Sequence, residues 1–512
     1  MLSPSRRTQR VAEAALGILC LAISACTVGP KYHPPSIATP ATPNYKESPL
    51  NFKDANGWKV AQPQDAMLRG NWWEVFHEPE LNEYEGQLNI NNQNIKQYFE
   101  NYMAARAQIR QAHSQYYPTV SVSASASYAR TAGAATAQNG GGTTLAGGGT
   151  QISQFSAPLD ISWAPDLFGR VRNTVSQFQF AAQVSAADLE NERLLEQATL
   201  AQTFFEIRGQ DALIQVLNET VKADESVLEV TQGLYDTGLT NQVAVEQAKQ
   251  TLESARSAAT GAHIARTQYE HAIATLLGKS ATEFAVPVRP LVTAPPVIPT
   301  GTPSQLLERR PDIAAAERQM AEANAVIGIG YAAYYPTLTL SASGGFSSSS
   351  FSQWFTWPAR FFSLGPSISE TVYDAGLRKA TVDQYVATYN SDLANYRQTV
   401  LTAFQQVEDY LAETRILSEQ IRQAQAATDS AERAFELEKS RYQTGLDPYV
   451  ILLTTQTALL STREALVTAQ VQQMVSAVLL VDALGGGWQK SDLPSVKQVS
   501  EKPADSDRKI QN

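Results

Sequence analysis

The 512-residue chain is poor in the side chains that most often build reactive centres: two cysteines, five methionines and five histidines. Cys20 falls inside an N-terminal apolar stretch, Ala14 to Ala22, that reads as part of an export signal. Cys26 is then the one cysteine expected in the mature protein, and an intrachain disulfide is excluded. The histidines (His33, His77, His113, His263 and His271) fall at no metal-ligand spacing, and the methionines do not cluster. Neither a bound metal nor a soft-metal relay is therefore expected. No P-loop, dinucleotide fingerprint or Gly-x-Ser-x-Gly motif occurs, so neither catalysis nor a cofactor is expected. The net charge is −10 and no basic cluster is present, which argues against nucleic acid as a partner. Proline is missing between Pro79 and Pro118, between Pro165 and Pro287, and between Pro366 and Pro448. Spans of that length without proline predict long unbroken helices.

The N-terminus carries Arg6, Arg7 and Arg10 before its apolar run, which is too short for a permanent transmembrane helix. Ile23-Ser24-Ala25-Cys26 follows, small residues ahead of a cysteine, and resembles a lipobox. A small residue near a signal-peptidase site is the plain reading of Cys26. Lipid attachment is the reading that gives a lone exported cysteine a purpose. Thr27 after it, in place of Asp, favours the outer membrane. Removing residues 1–25 takes away three arginines and one glutamate, which moves the charge from −10 to −12.

Two motifs occur twice in the same order. Tyr116-Tyr117-Pro118-Thr119 opens an alternating stretch, as does Tyr334-Tyr335-Pro336-Thr337. Leu234-Tyr235-Asp236-Thr237-Gly238 later finds its counterpart in Arg441-Tyr442-Gln443-Thr444-Gly445. A duplication of this length is too long for a solenoid and predicts two related halves. In the second half Leu393, Val400, Val407, Thr414, Ile421, Thr428, Phe435 and Tyr442 recur every seven residues, with Tyr396, Ala403, Tyr410, Leu417, Ala424 and Ala431 as companions. Leu453, Leu460, Val467, Met474 and Val481 repeat at the same interval after the turn. Such heptads predict coiled-coil packing; an ordinary bundle would have shorter helices.

Four segments switch to period two: 119–128, 153–163, 337–346 and 361–372. Each sets Val, Leu, Ile, Phe or Ala against Ser and Thr, and is long enough to cross a bilayer as a tilted strand. A soluble sandwich strand alternates in the same way. The joining stretches, Gly-rich 131–150 and aromatic 344–360, read as surface loops. Four membrane strands do not close a barrel, and an open edge in lipid leaves backbone groups unpaired, so several chains must share one barrel. Two chains would give eight strands and a filled interior, and three would give twelve and an aqueous pore. The strand count favours more than two chains without fixing three.

These motifs resemble the TolC-like outer-membrane efflux channels, and more narrowly the lipoprotein branch typified by OprM and NodT. The resemblance rests on the paired Tyr-Tyr-Pro entries, Leu306–Arg318 (LLERRPDIAAAER), the two Tyr-x-Thr-Gly turns, Cys26–Tyr32 (CTVGPKY) and Ala483–Trp488 (ALGGGW). It implies an α+β membrane protein. The expected form is a homotrimer sharing a twelve-stranded transmembrane β-barrel over a long periplasmic α-helical barrel. The expected organisation is a signal peptide at 1–25, a lipidated Pro-rich tether and equatorial segment at 26–80, repeats at 81–300 and 301–488, and a polar tail at 489–512. The helix turns are expected near 236–240 and 443–448. The resemblance further implies a periplasmic adaptor protein, an inner-membrane pump of the resistance-nodulation-division type and outer-membrane lipid as partners. Together they would export small toxic compounds.

In the turns, Gly238 and Gly445 are placed to end helices in the left-handed conformation. Thr240 and Asp447 are placed to cap the next ones, with Pro448 at the first helical position. By resemblance these turns form the periplasmic tip that meets the adaptor. The matching constriction residues are Tyr442, Val450, Ile451 and Thr454, with Asp447 close by. Many relatives carry Asp where this chain has Ile451 or Thr454, so a strongly cation-selective gate is not expected. The competing class is a structural trimeric coiled-coil surface adhesin, which would place its barrel at one end of the chain rather than in two inserted strand pairs.

Overall fold

Residues 28–34, 45–47, 70–130, 151–291, 294–298 and 308–501 are described by the computed structural model. The signal segment, Cys26, most of the proline-rich tether, the 131–150 loop and the end of the polar tail lie outside the described residues. Helices α1 (Pro79–Asn91) and α2 (Gln93–Ser114) lead into strands β1 (Thr119–Val122), β2 (Ser125–Arg130) and β3 (Gln151–Trp163). Helices α3 (Arg170–Asp236) and α4 (Gln242–Leu276) follow. The order then recurs as α5 (Pro311–Ala332), β4 (Thr337–Ser348), β5 (Arg360–Ser369), α6 (Leu377–Gln443) and α7 (Tyr449–Ala483), before a short α8 (Val496–Ser500). Both α3 and α6 have 67 residues, and both α4 and α7 have 35. At 1.5 Å per residue the longer pair runs about 100 Å.

The chain divides into two compact units. The first holds, among the described residues, 28–34, 105–130, 151–181 and 319–392. Its centre is one antiparallel sheet in the order β1-β3-β4-β5, with β2 also paired to β3. The expected strand at 119–128 is split in two without a change of register, since Thr119 faces Ser162 and Ser125 faces Ser156. The gap falls where Ser123 faces Pro158. The Ser123 N–H donates to the Pro158 carbonyl at 3.2 Å, but proline has no N–H to return. On the other side Pro158 faces Gly345, where any Cβ would collide with the Ala157 carbonyl. The last strand ends at Ser369, before Val372, the final apolar position expected in it.

The register sorts the side chains. Val120, Ile161, Ala342 and Leu364 form one row across the sheet, and Val122, Leu159, Gly344 and Phe362 form the next on the same face. Opposite them lie Ser121, Asp160, Ser343 and Ser363. Among the described residues the two apolar rows are left largely open toward β5: Phe362 is 84% exposed and Leu364 78%. Two aspartates start the helices that leave the sheet. Asp166 accepts the Arg172 N–H at 2.9 Å, and Asp374 accepts those of Gly376 and Arg378 at 3.0 and 3.2 Å. Each thereby supplies negative charge at the positive end of a helix.

The second unit holds residues 45–47, 70–104, 182–291, 294–298, 308–318 and 393–501 among those described. The α6 heptad is buried at Val400, Val407, Thr428, Phe435 and Tyr442, and at the companions Tyr396, Ala403 and Leu417. In the first turns of α7 the buried seam is Leu452, Gln456 and Leu459. That is one residue out of step with the expected Leu453 and Leu460, which are half-buried. Farther along the helix the expected positions Met474 and Val481 are buried, so the buried stripe shifts between the two ends of α7. Burying large seam residues such as Phe204 and Phe205 stabilises by roughly 1.5–3 kcal/mol each.

One carboxylate ties this unit together. Asp211 on α3 is buried and accepts from Arg266 Nε of α4 at 2.7 Å and from the Arg289 backbone N–H at 2.8 Å. Arg266 also donates to the Val286 carbonyl at 2.7 Å, and Arg208 to the Pro287 carbonyl at 2.6 Å and to Glu80. The segment after α4 is thus clamped along two helices by charge-assisted bonds. Asp211→Ala leaves buried guanidinium groups short of a partner and should cost about 3–5 kcal/mol. Thermal melts should show the loss, and limited proteolysis should newly cleave near 286–291. Unchanged melting and cleavage would mean that the clamp contributes little.

Candidate functional site

The turns that join the long helices to the short ones are built alike. Gly238 has φ +77° and Gly445 +72°, a region that only glycine enters cheaply. The Gly238 N–H donates to the Tyr235 carbonyl at 2.9 Å and the Leu239 N–H to the Leu234 carbonyl at 2.8 Å. In the second turn Gly445 donates to Tyr442 at 2.9 Å and Leu446 to Arg441 at 3.0 Å. Both are Schellman caps, which satisfy the last carbonyls of α3 and α6.

The helix starts differ from the expected caps. Asn241, not Thr240, caps α4: its side chain accepts the Ala244 N–H at 3.0 Å. Thr240 is one residue too early, and its own N–H is turned back to the Leu234 carbonyl at 3.3 Å. Asn directly before the first helical residue, and three before Ala244, was the available signal. Asp447 does not cap α7. It pairs with Arg441 in the last turn of α6, and that hydrogen bond holds its carboxyl below the usual aspartate range. Pro448 occupies the N-cap position rather than the first helical one, and makes no side-chain cap. The reversal brings a full guanidinium charge beside Asp447, which outcompetes backbone N–H groups for the carboxylate.

The residues matched to the constriction divide between two environments. Tyr442 is buried, donates to the Thr231 hydroxyl at 3.0 Å and meets the Tyr449 ring edge-on, centroids 5.8 Å apart. Val450 and Ile451, by contrast, are 58% and 42% exposed. Thr454 is also exposed, its hydroxyl returned to the Val450 carbonyl at 2.8 Å. Val450 and Thr454 share a helix face one turn apart. Leu239 and Leu446 project from the two tips, both largely exposed. Cys26 lies outside the described residues. Val28, two residues later, donates its N–H to the Phe168 carbonyl at 3.4 Å, and Asn324 donates to the Pro30 carbonyl at 3.0 Å. The segment after Cys26 is therefore held in the same unit as the sheet.

Behind the turns lies a group that sequence reading missed. Asp224 on α3 is 3% exposed, and neither carboxylate oxygen has a hydrogen-bond partner. Burial pushes its carboxyl up from 3.8 to about 6. Gln456 on α7 is also buried with its amide unpaired, and lines a cleft of about 190 Å³ with Phe435, Leu459 and Arg463. No periodicity marks Asp224, because a lone polar residue in a seam looks like a surface position until the partner helix is placed. Among the described residues no cluster of three or more His, Cys, Asp or Glu could hold a metal ion.

The pattern described as outer membrane efflux protein matches residues 86–279 and 302–486. The chain is 28% identical over 496 residues to the probable efflux pump outer membrane protein TtgC of Pseudomonas putida, covering 95% of this chain and 98% of that one. It is 26% identical over 477 residues to the cation efflux system protein CusC of Escherichia coli O6:H1, covering 92% and 98%. Among solved structures, the outer-membrane channel OprN superposes with a TM-score of 0.76 at 28% identity, over 91% of this chain and 100% of that one.

Asp224 gives the tip region a distinct pH dependence. Its folded pKa of about 6 lies above the unfolded value of 3.8, so the ionised form destabilises the fold. That penalty is absent well below pH 4, grows between about pH 4 and 6, and is complete above. Asp224→Asn should therefore stabilise the protein at pH 7.5, by on the order of 2 kcal/mol, with most of that gain gone at pH 4. Melting temperatures of both proteins at the two pH values test this. An equal shift at both would contradict the buried ionisation.

Proposed function

The chain belongs to the outer membrane efflux protein family, and from that premise we propose how its parts build a trimeric, lipidated conduit. It is the outer-membrane channel component of an efflux pump, a conduit rather than an enzyme. The surface-adhesin alternative finds no support among its relatives, whose names are those of efflux components. Those names include toluene, antibiotic and cation efflux. For this chain the substrate class is small toxic compounds, with selection made by the pump that loads the channel.

The observation that carries the trimer is the sheet. Among the described residues its two edges, β1 with β2 on one side and β5 on the other, are unpaired outward, and the Val, Ile, Leu and Phe rows are largely exposed. In lipid, unpaired backbone groups cost several kcal/mol each, so the edges must be joined. Three copies of this sheet make a closed barrel of twelve strand positions, with the Ser-rich face toward water and the Val, Ile, Leu and Phe rows toward lipid. The half-buried Leu453 and Leu460 stripe on α7 gives the helices a second neighbour, as a shared helical barrel requires. The recurring element order supports two repeats, at 81–300 and 301–488, between a tether at 26–80 and a tail at 489–512. Residues 1–25 are the signal, and Cys26 carries the lipid. In mild detergent the mature protein should have the mass of three chains by mass photometry, and Cys26→Ser should lose labelled-palmitate incorporation. A monomer with native β content, or labelling that survives the substitution, would refute the respective claim.

The helix turns form the periplasmic tip. Gly238, Thr240, Gly445 and Pro448 present it to a periplasmic adaptor, which couples the channel to an inner-membrane pump of the resistance-nodulation-division type. Val450, Ile451 and Thr454 line the constriction, Tyr442 holds the seam behind them, and Asp447 is occupied by Arg441. A threefold ring of Val and Thr has no formal charge, so cation selectivity is modest. Thr454→Asp brings three carboxylates together and should raise cation selectivity and create block by multivalent cations. Reversal potentials in planar bilayers under a salt gradient measure the selectivity, and the fall in conductance on adding a multivalent cation measures the block. If neither changes, Thr454 does not line the constriction.

A further inference from the structure

The end of the sheet away from the helices carries an unusual charge pattern. Between Thr119 and Leu159, and between Thr337 and Ser369, the sequence has no Asp, Glu, Lys or His; Arg130 and Arg360 are its only charged residues. Arg130 ends β2 and shares the face of Val120 and Val122. Arg360 opens β5 opposite Phe346, on the same face. Both cations therefore stand on the apolar side, toward the loop end. Their rows, at Gln151 and Ala157 of β3, are six residues apart, about 20 Å along the strand.

The loop between β4 and β5 folds onto that side. Phe351 and Trp354 meet Phe155 with ring centroids 5.5 and 5.6 Å apart, and Phe355 meets Phe346 at 5.7 Å. Phe155 and Phe346 lie on the same face, beyond the two rows already named, so the loop extends the apolar face outward rather than capping the end of the sheet. The Arg360 guanidinium lies over the Trp357 ring at 3.8 Å. Even so, Phe351, Phe355 and Trp357 remain 71%, 67% and 73% exposed. Exposed aromatic rings beside arginines, at the border of an apolar band, fit a membrane interface. Guanidinium groups without a carboxylate nearby fit phosphate.

We infer that this rim binds the phosphorylated, multiply acylated glycolipid of the outer leaflet, with acyl chains along the apolar rows, Trp357 at headgroup level and phosphates on Arg360 and Arg130. The inference rests on the reading that the apolar face meets outer-membrane lipid. The separation of the two arginines favours a glycolipid, whose anionic groups extend outward over several sugars. A phospholipid offers its phosphate at one level.

The test compares wild type with the double variant Arg130→Gln/Arg360→Gln by native mass spectrometry of detergent-purified protein. The probes are rough lipopolysaccharide, the same lipid after enzymatic dephosphorylation, and phosphatidylglycerol. Wild type should retain the phosphorylated glycolipid roughly fivefold better than either other probe, and the double variant should lose that preference. Equal retention of all three probes by wild type, or a preference that survives both substitutions, overturns the inference. Membrane fractionation separates this from failure of the underlying reading. A wild type absent from the outer membrane sinks that reading, whereas a correctly localised trimeric variant without glycolipid preference supports the rim.

Discussion

A backbone hydrogen bond left unmade in an apolar medium is the constraint from which the remainder of this architecture follows. Among the described residues the sheet of the first unit has two free edges and a largely exposed apolar face. In water such an edge is an aggregation hazard, and in lipid it is untenable. The closure proposed between copies removes both faults together. The same accounting reaches the interior of the sheet. Pro158 cannot donate, so the first strand breaks at Ser123, and Gly345 supplies the close approach on the other side.

The long helices meet the same demand in a different way. A helix satisfies its own backbone everywhere except at its ends. For α3 and α6 those ends are settled by left-handed glycines and paired Schellman bonds at the tips, and by aspartates where the chain leaves the sheet. Their stability then comes from thin seams. Those seams admit polar residues at defined levels: Tyr442 bonded to Thr231, Gln456 unpaired, and Asp224 unpaired with its carboxyl pushed up by burial. A tip packed this way is less stable than one sealed by aliphatic side chains.

The resemblance read from the paired Tyr-Tyr-Pro entries and the Tyr-x-Thr-Gly turns led to the family that the chain matches. The strands were legible because period-two alternation is local, and the helices because proline is absent over long spans. Both periods report which face is apolar, without needing a partner. The glycine turns were equally legible, since a positive φ is a property of one residue. What failed was competition between neighbours. Thr240 and Asn241 are both acceptable caps by type, and only the path of the chain selects Asn241. Asp447 has the right chemistry to cap α7, but the reversal of the chain places Arg441 beside it.

By itself, then, the sequence determined the element types, the order in which they recur, the polarity of each sheet face and the positions of the helix reversals. Each of these depends on residues within a few positions of one another. Tertiary structure decided which α7 stripe is buried, where the first strand breaks, that Asp211 clamps the segment after α4, and that Asp224 sits without a partner. Those outcomes depend on groups brought together from distant parts of the chain, where burial and the nearest charge, rather than residue type, set the energy.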